Sequence, residues 1–305
     1  MGELSKNIGD DGERIVLSFF KNLGWHNPVT NVDLPCVLRK HHSLGNRPRS
    51  THGIDLIFSY LCPITSRVRR NILVSVKNSF SENGPPDNGV VEKGLKDVAQ
   101  ATRCFFRSEL RADFQSQGGA SEVFDHGLLI RLDKSPDEKP FQAYIGDSST
   151  AGINESHTIP LIETERFDFI DKVINYTKLI HNNQASFYHA RSATTASAEH
   201  RLLSSSLLPF HNLIAGPITL QKPVDHGGSR LILISDEKFS IPSFQRLTGL
   251  ALGISQGWAG ITIVFPDYTP GLHKQSVQSS LLSLPSSQFA SLIECDSLNT
   301  NSRFR

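Results

Sequence analysis

The sequence predicts an α/β protein of two domains. Three observations carry this. Residues 7–112 alternate amphipathic stretches with short runs of Ile, Leu, Val and Phe, in the order helix, strand, strand, strand, helix. Residues 230–265 hold a strand, a helix and a second strand within about 35 residues, the spacing of a βαβ unit. At 305 residues the chain also exceeds one typical domain.

The elements follow in order. Asn7–Leu23 reads as a helix, with Ile15, Leu17, Phe19, Phe20 and Leu23 apolar and Gly24 as its stop. Asp10 or Asp11 suits its start, and Glu13 lies in its first turn. Pro28–Leu34 reads as a strand, and a basic, His-containing loop runs on to His52. Ile54–Leu61 and Asn71–Val76 are strands, and the turn Pro63–Arg70 makes them an antiparallel pair. Val90–Leu110 is read as one long helix, buried along Leu95, Val98, Ala99, Thr102, Phe105 and Phe106. Val123–Leu132 and Phe141–Ile145 are strands, and Glu163–Ile180 is a helix. Residues 183–200, polar and rich in Ala, Ser and Thr, are expected to link a first domain of residues 1–182 to a second of residues 201–305. In the second domain, Arg230–Ser235 and Gly260–Phe265 are expected to lie parallel around the helix Phe239–Gln256, and Leu281–Leu292 to form a terminal helix.

Net charge is +1, which by itself points to no nucleic-acid partner, but its distribution is uneven. Residues 1–112 hold 16 Lys/Arg against 11 Asp/Glu, whereas residues 113–182 hold 6 against 12. The basic excess gathers at Arg39–His42, Arg47–Arg49 and Arg67–Arg70, clusters that attract phosphate or that serve as solvated loops. Cys36, Cys62, Cys104 and Cys295 are scattered with no CxxC pair, which points to neither a disulfide framework nor a cysteine zinc site. The N-terminus lacks the basic-then-apolar order of a signal peptide, and no run approaches the ~20 apolar residues of a membrane span. A reducing, cytoplasmic setting away from the membrane is expected. No P-loop or HExxH motif is present.

Two short stretches carry the chemistry. Asp55 is the single carboxylate at the entrance of the run Gly53–Phe58, and Val74-Ser75-Val76-Lys77 ends the next strand. Ser75 and Lys77 are two apart and share a strand face, with Val74 and Val76 on the other. The order helix, strand with Asp, strand with Lys, helix resembles the restriction-endonuclease-like core of the PD-(D/E)XK superfamily. Gly9–Val16 with Leu23-Gly24-Trp25 is similar to the family's first helix, Gly53–Ile57 to its metal-binding strand, and Val74–Asn78 to its (D/E)XK strand. The pattern is most similar to the Mrr-type and Holliday-junction-resolvase-like branches.

The resemblance implies a central mixed sheet flanked by helices, followed here by a C-terminal α/β domain. It implies a metal-dependent DNA endonuclease using Mg²⁺ or Mn²⁺, with DNA as partner and a homo-oligomeric state, with or without a second protein subunit. Asp55 would be the principal metal ligand, joined by Glu13 and the backbone carbonyl of Val76. Lys77 would hold the attacking water or neutralise charge on the phosphorane, and Gln100 would contact the site from the following helix. Ser75 stands where the family usually has Glu or Asp, which weakens the expected metal site. The alternative is therefore a catalytically inactive nuclease fold that binds DNA or a partner subunit. By family analogy alone, the role is defence against phage or plasmid DNA.

Overall fold

The computed structural model describes residues 2–38, 48–65, 67–79, 88–133, 159–182, 184–189, 204–225, 227–254 and 257–298. The chain divides into two compact units, Met1–Phe167 and Asp168–Arg305. Each has its own sheet.

In the first unit, helix α1 (Gly2–Asn22) leads into β1 (Val29–Pro35), β2 (Thr51–Leu61) and β3 (Val68–Ser79). Helices α2 (Asn88–Phe105) and α3 (Glu109–Ser116) cross over to β4 (Glu122–Asp133), and β5 (Leu161–Ile162) completes the sheet. The strand order is β1-β2-β3-β4-β5; the first three are antiparallel, whereas β3, β4 and β5 run parallel.

The glycine and tryptophan after α1 close it. Gly24 adopts φ 78°, its N–H donates to Lys21 O at 3.2 Å, and Trp25 N–H donates to Phe20 O at 3.0 Å. This is a Schellman cap, and the apolar contact that accompanies such caps is the Trp25 ring stacked on Phe20, centroids 4.8 Å apart. Phe20 and Trp25 also meet Phe58 of β2, so α1 packs on the sheet face that carries Leu56 and Phe58. Leu73 of β3 packs on the other face, in one cluster with Ile57 and with Ala101, Cys104 and Phe105 of α2.

The helix expected at Val90–Leu110 is two helices. Ser108 ends the first and starts the second: its hydroxyl accepts the Arg111 N–H at 3.2 Å, an N-cap for α3. The strand expected at Phe141–Ile145 and the basic clusters Arg39–His42 and Arg47 lie outside the described residues.

Helix α4 (Thr164–His181) crosses from the first unit into the second. The second sheet contains β6 (Ser186–Tyr188), β7 (Ser204–Ser205), β8 (Ile218–Pro223), β9 (Ser229–Ile234), β10 (Gly260–Phe265) and β11 (Ile293–Ser297), in the order β11-β10-β9-β8-β6-β7. Short α5 (Phe210–Ile214) precedes β8. Strands β9 and β10 are parallel around α6 (Ile241–Ile254), as their βαβ spacing predicts. Helices α7 (Pro270–Leu282) and α8 (Ser287–Ala290) then lead to β11, also parallel. The terminal helix expected at Leu281–Leu292 is thus the end of α7 and α8. Residues 186–188, inside the polar stretch read as a linker, form β6. No helix among the described residues is long and apolar enough to cross a membrane.

Candidate metal-binding active site

The antiparallel ladder between β2 and β3 stops at Leu56 opposite Val74. One step further along, Asp55 and Ser75 face each other. There the carboxylate replaces the missing rung: Asp55 Oδ2 accepts the Val76 N–H at 2.5 Å and the Ser75 hydroxyl at 3.1 Å. Both bonds fall on Oδ2, which leaves Oδ1 outside any hydrogen bond among the described residues. The N–H and C=O of a strand residue point to the same side, so the Val76 carbonyl also faces Asp55. Ser75 is buried and Asp55 half-buried, at the end of the sheet where β2 begins and β3 ends.

Lys77 shares the Ser75 face, which is the α2 face. Its stem runs beside Gly94 of α2, where an added methyl would sit 3.6 Å from Lys77 Cε. Among the described residues the Lys77 ammonium has neither a hydrogen-bond nor an ion-pair partner. Gln100 is buried on α2, and its Oε1 accepts no hydrogen bond among the described residues. It lies between Asp97 and Cys104 in sequence, and no bond ties it to Asp55 or Lys77.

Glu13 is half-buried on α1, in line with buried Val16 and Phe20. The aromatic contacts give the helix direction. Trp25, past the C-terminus of α1, meets Tyr60 at 5.2 Å, and Phe20 meets Phe58. Glu13 is two turns before Phe20, about 10 Å along the helix. Asp55 is also about 10 Å before Phe58 along β2. Both carboxylates therefore lie toward the same end of the sheet, with α1 packed chiefly against β3, the strand beside Asp55.

Three features were not legible in the sequence. Arg131 of β4 stands in register with Lys77, so the two cations are neighbours on one face; Arg131 Nη1 is 3.6 Å from Glu163. Parallel register of this kind follows from strand order, which no local motif encodes. The basic run Arg67–Arg70 is partly structural. Arg69 is buried and donates to Ser59, Gln117 and Gly118 O, while Arg70 donates to His126 Nε2 at 2.8 Å. Only a neutral ring accepts that bond, and burial, with the Arg70 charge, pushes the His126 pKa down to about 4. Finally, Cys36, His52 and Cys104, far apart in sequence, meet in space, with ligand atoms all within 4.8 Å of one another.

The donors at the junction are hard oxygens, one carboxylate and one carbonyl, with a lysine alongside. Such a set suits a divalent cation of the magnesium kind, which takes one or two carboxylates and keeps waters.

The family described as GAPS4 protein PD-(D/E)XK nuclease domain matches residues 1–166, the span of α1, the first sheet and α2. The match speaks for the superfamily and this family, not for the Mrr-type or resolvase-like branches. No curated protein and no solved structure matches the chain. On the strength of the family match, the chain belongs to the GAPS4 PD-(D/E)XK nuclease-domain family.

Proposed function

We propose that this protein is a metal-dependent DNA endonuclease whose active site is the β2–β3 junction. The observation that carries this is Asp55 at the end of the ladder, with one carboxylate oxygen and the next-in-line Lys77 both without partners among the described residues, and the Val76 carbonyl on the same side. Asp55, the Val76 carbonyl and Glu13 would hold Mg²⁺ (or Mn²⁺), which would supply Lewis acidity to the phosphate and lower the pKa of a bound water.

The chain's own groups do the rest. Ser75 donates to Asp55 and fixes the rotamer that leaves Oδ1 facing outward. Lys77 and Arg131 place two positive charges side by side, where a phosphodiester and its developing negative charge are stabilised. Gly94 lets α2 close over the Lys77 stem and hold it without competing for its ammonium. The orphaned Gln100 Oε1 is a buried acceptor on the same helix that suits a water or a nucleotide donor. DNA as substrate and a role in defence against foreign DNA rest on the family. A homo-oligomer is the arrangement that cuts both strands. We assign the nuclease function to residues 1–182, with 183–200, which also lend β6 to the second sheet, as the connection to a C-terminal domain of residues 201–305.

The test is cleavage of plasmid and linear DNA with Mg²⁺ or Mn²⁺, wild type beside Asp55→Ala and Lys77→Ala. Each substitution is expected to lower the rate by about 100-fold or more. Equal cleavage by all three proteins would remove the assigned site. The serine at position 75 favours a second reading, an inactive nuclease fold. Wild type that never nicks DNA but binds it in the presence of chelator would establish that reading.

A further inference from the structure

A second metal chemistry is built into the same unit, and it uses sulfur and nitrogen where the nuclease site uses oxygen. Cys36 follows the end of β1, His52 lies at the start of β2, and Cys104 sits in the last turn of α2. Cys104 Sγ is 3.9 Å from Cys36 Sγ, and the His52 ring nitrogen closes the triangle within 4.8 Å. Among the described residues this is the one group of three His, Cys, Asp or Glu side chains so arranged.

Two sulfurs on a tetrahedral zinc, at about 2.3 Å each, stand about 3.8 Å apart. The thiols already have that separation, almost twice the bond length of a cystine, about 2.04 Å. His52 is 2% exposed and Cys104 0%, while Cys36 is half-buried and gives the group an edge toward solvent. Leu34, Ile54, Ala101 and Phe105 surround it. A dication with two thiolates and a neutral imidazole carries no net charge, so such a centre fits an apolar core that would reject any one of those charges alone. Soft thiolates with an imidazole select zinc over magnesium. Arg49, 3.3 Å from His52 Nδ1, is itself held by Asp97 at 2.8 Å and adds no uncompensated charge. His52 Nε2, the ring nitrogen turned from Arg49, is buried.

We propose that Cys36, His52 and Cys104 form a zinc site, with solvent in the fourth position, that clips the ends of β1 and β2 to α2. Zinc binds the thiolates and takes the place of the thiol protons. The site stands on its own geometry and does not depend on the nuclease assignment. Its placement bears on that assignment, because His52 begins the strand that carries Asp55.

The experiment uses the full chain, purified in reductant without chelator. Elemental analysis is expected to find about one zinc per chain. Cobalt(II) added to the metal-free protein is expected to give the visible bands of a tetrahedral site and a thiolate-to-cobalt charge-transfer band. Cys36→Ser and His52→Gln are expected to lose the zinc and to weaken or abolish the charge-transfer band. Wild type without zinc, whose cobalt spectrum shows no thiolate band, overturns the proposal; this readout needs no variant to fold. Undiminished zinc in folded Cys36→Ser and His52→Gln overturns it too. So does a Cys36–Cys104 disulfide in protein that takes up no metal once reduced.

Discussion

At the proposed metal site Ser75 stands where a carboxylate was expected and gives Asp55 a hydrogen-bond donor instead. In the metal-free protein that exchange is favourable, since a second carboxylate here would face Asp55 at about hydrogen-bond distance, with like charges repelling. Restoring a carboxylate should therefore make the fold depend on the metal. Ser75→Asp is expected to lower the melting temperature in chelator, by about 1–3 kcal/mol of stability, and to gain more from added Mg²⁺ than wild type gains. Melting curves with and without Mg²⁺ measure both; an equal Mg²⁺ shift in the two proteins would show that position 75 does not face the cation. Asp55, Ser75, Val76 and Lys77 were legible in the sequence because a short antiparallel hairpin fixes its own register. The Cys36–His52–Cys104 group and Arg131 were not, because they meet only through strand order and the docking of α2.

At the scale of elements, α2 is the part that positions the site, and two glycines let it approach the sheet. Gly94 faces Leu129, 3.2 Å from an added methyl. Gly127 of β4 is tighter: an added Cβ would come within 2.5 Å of Val98 Cγ1, 2.7 Å of Ile159 and 2.9 Å of Thr102 Oγ1. Two of these neighbours belong to α2, so Gly127→Ala pushes the helix off β4. A loss of about 1–3 kcal/mol in urea unfolding is expected, together with weaker DNA cleavage from the displaced Lys77 cover. Unchanged stability would mean that α2 is free to shift. The helix itself was legible from its apolar stripe, but its end was not. Phe106 is 62% exposed rather than inward, because the helix stops there and Ser108 restarts the chain in a new direction. In the second unit, β9, β10 and α6 stood out as long apolar segments. Helix α7 and strand β11 did not. The helix is mostly Ser, Gln, Lys and His with Leu272 and Leu282 exposed, and the strand is an edge whose residues are mostly only half-buried.

Over the whole molecule, charge is the property that the sequence overstated as a guide to DNA. Five more cationic than anionic residues lie in residues 1–112, 16 against 11. The fold then engages several of them internally: Arg49 with Asp97, Arg69 with the loop after α3, Arg70 with His126 and Arg111 with Asp125. The proposed site itself offers two adjacent cations, Lys77 and Arg131, so DNA affinity should fall about tenfold between about 50 and 200 mM salt, the loss for about two phosphate contacts. Fluorescence anisotropy with labelled duplex measures this, and a fall of about a thousandfold would show that the cations do far more than the folded arrangement allows.

The missing rung between β2 and β3 has one more consequence. The carboxylate proposed as the metal ligand is also the clasp that closes the sheet at Val76. Binding and closure then share one free energy, and the linkage is reciprocal. Because the clasp holds Oδ2 and leaves Oδ1 to a cation, whatever tightens the clasp holds that oxygen in place for the cation, and a cation bound there steadies the clasp. Should zinc at His52 stiffen the start of β2, that stiffness would be felt at Asp55 as a change in magnesium affinity. The working metal would then be tuned by a structural one it never touches.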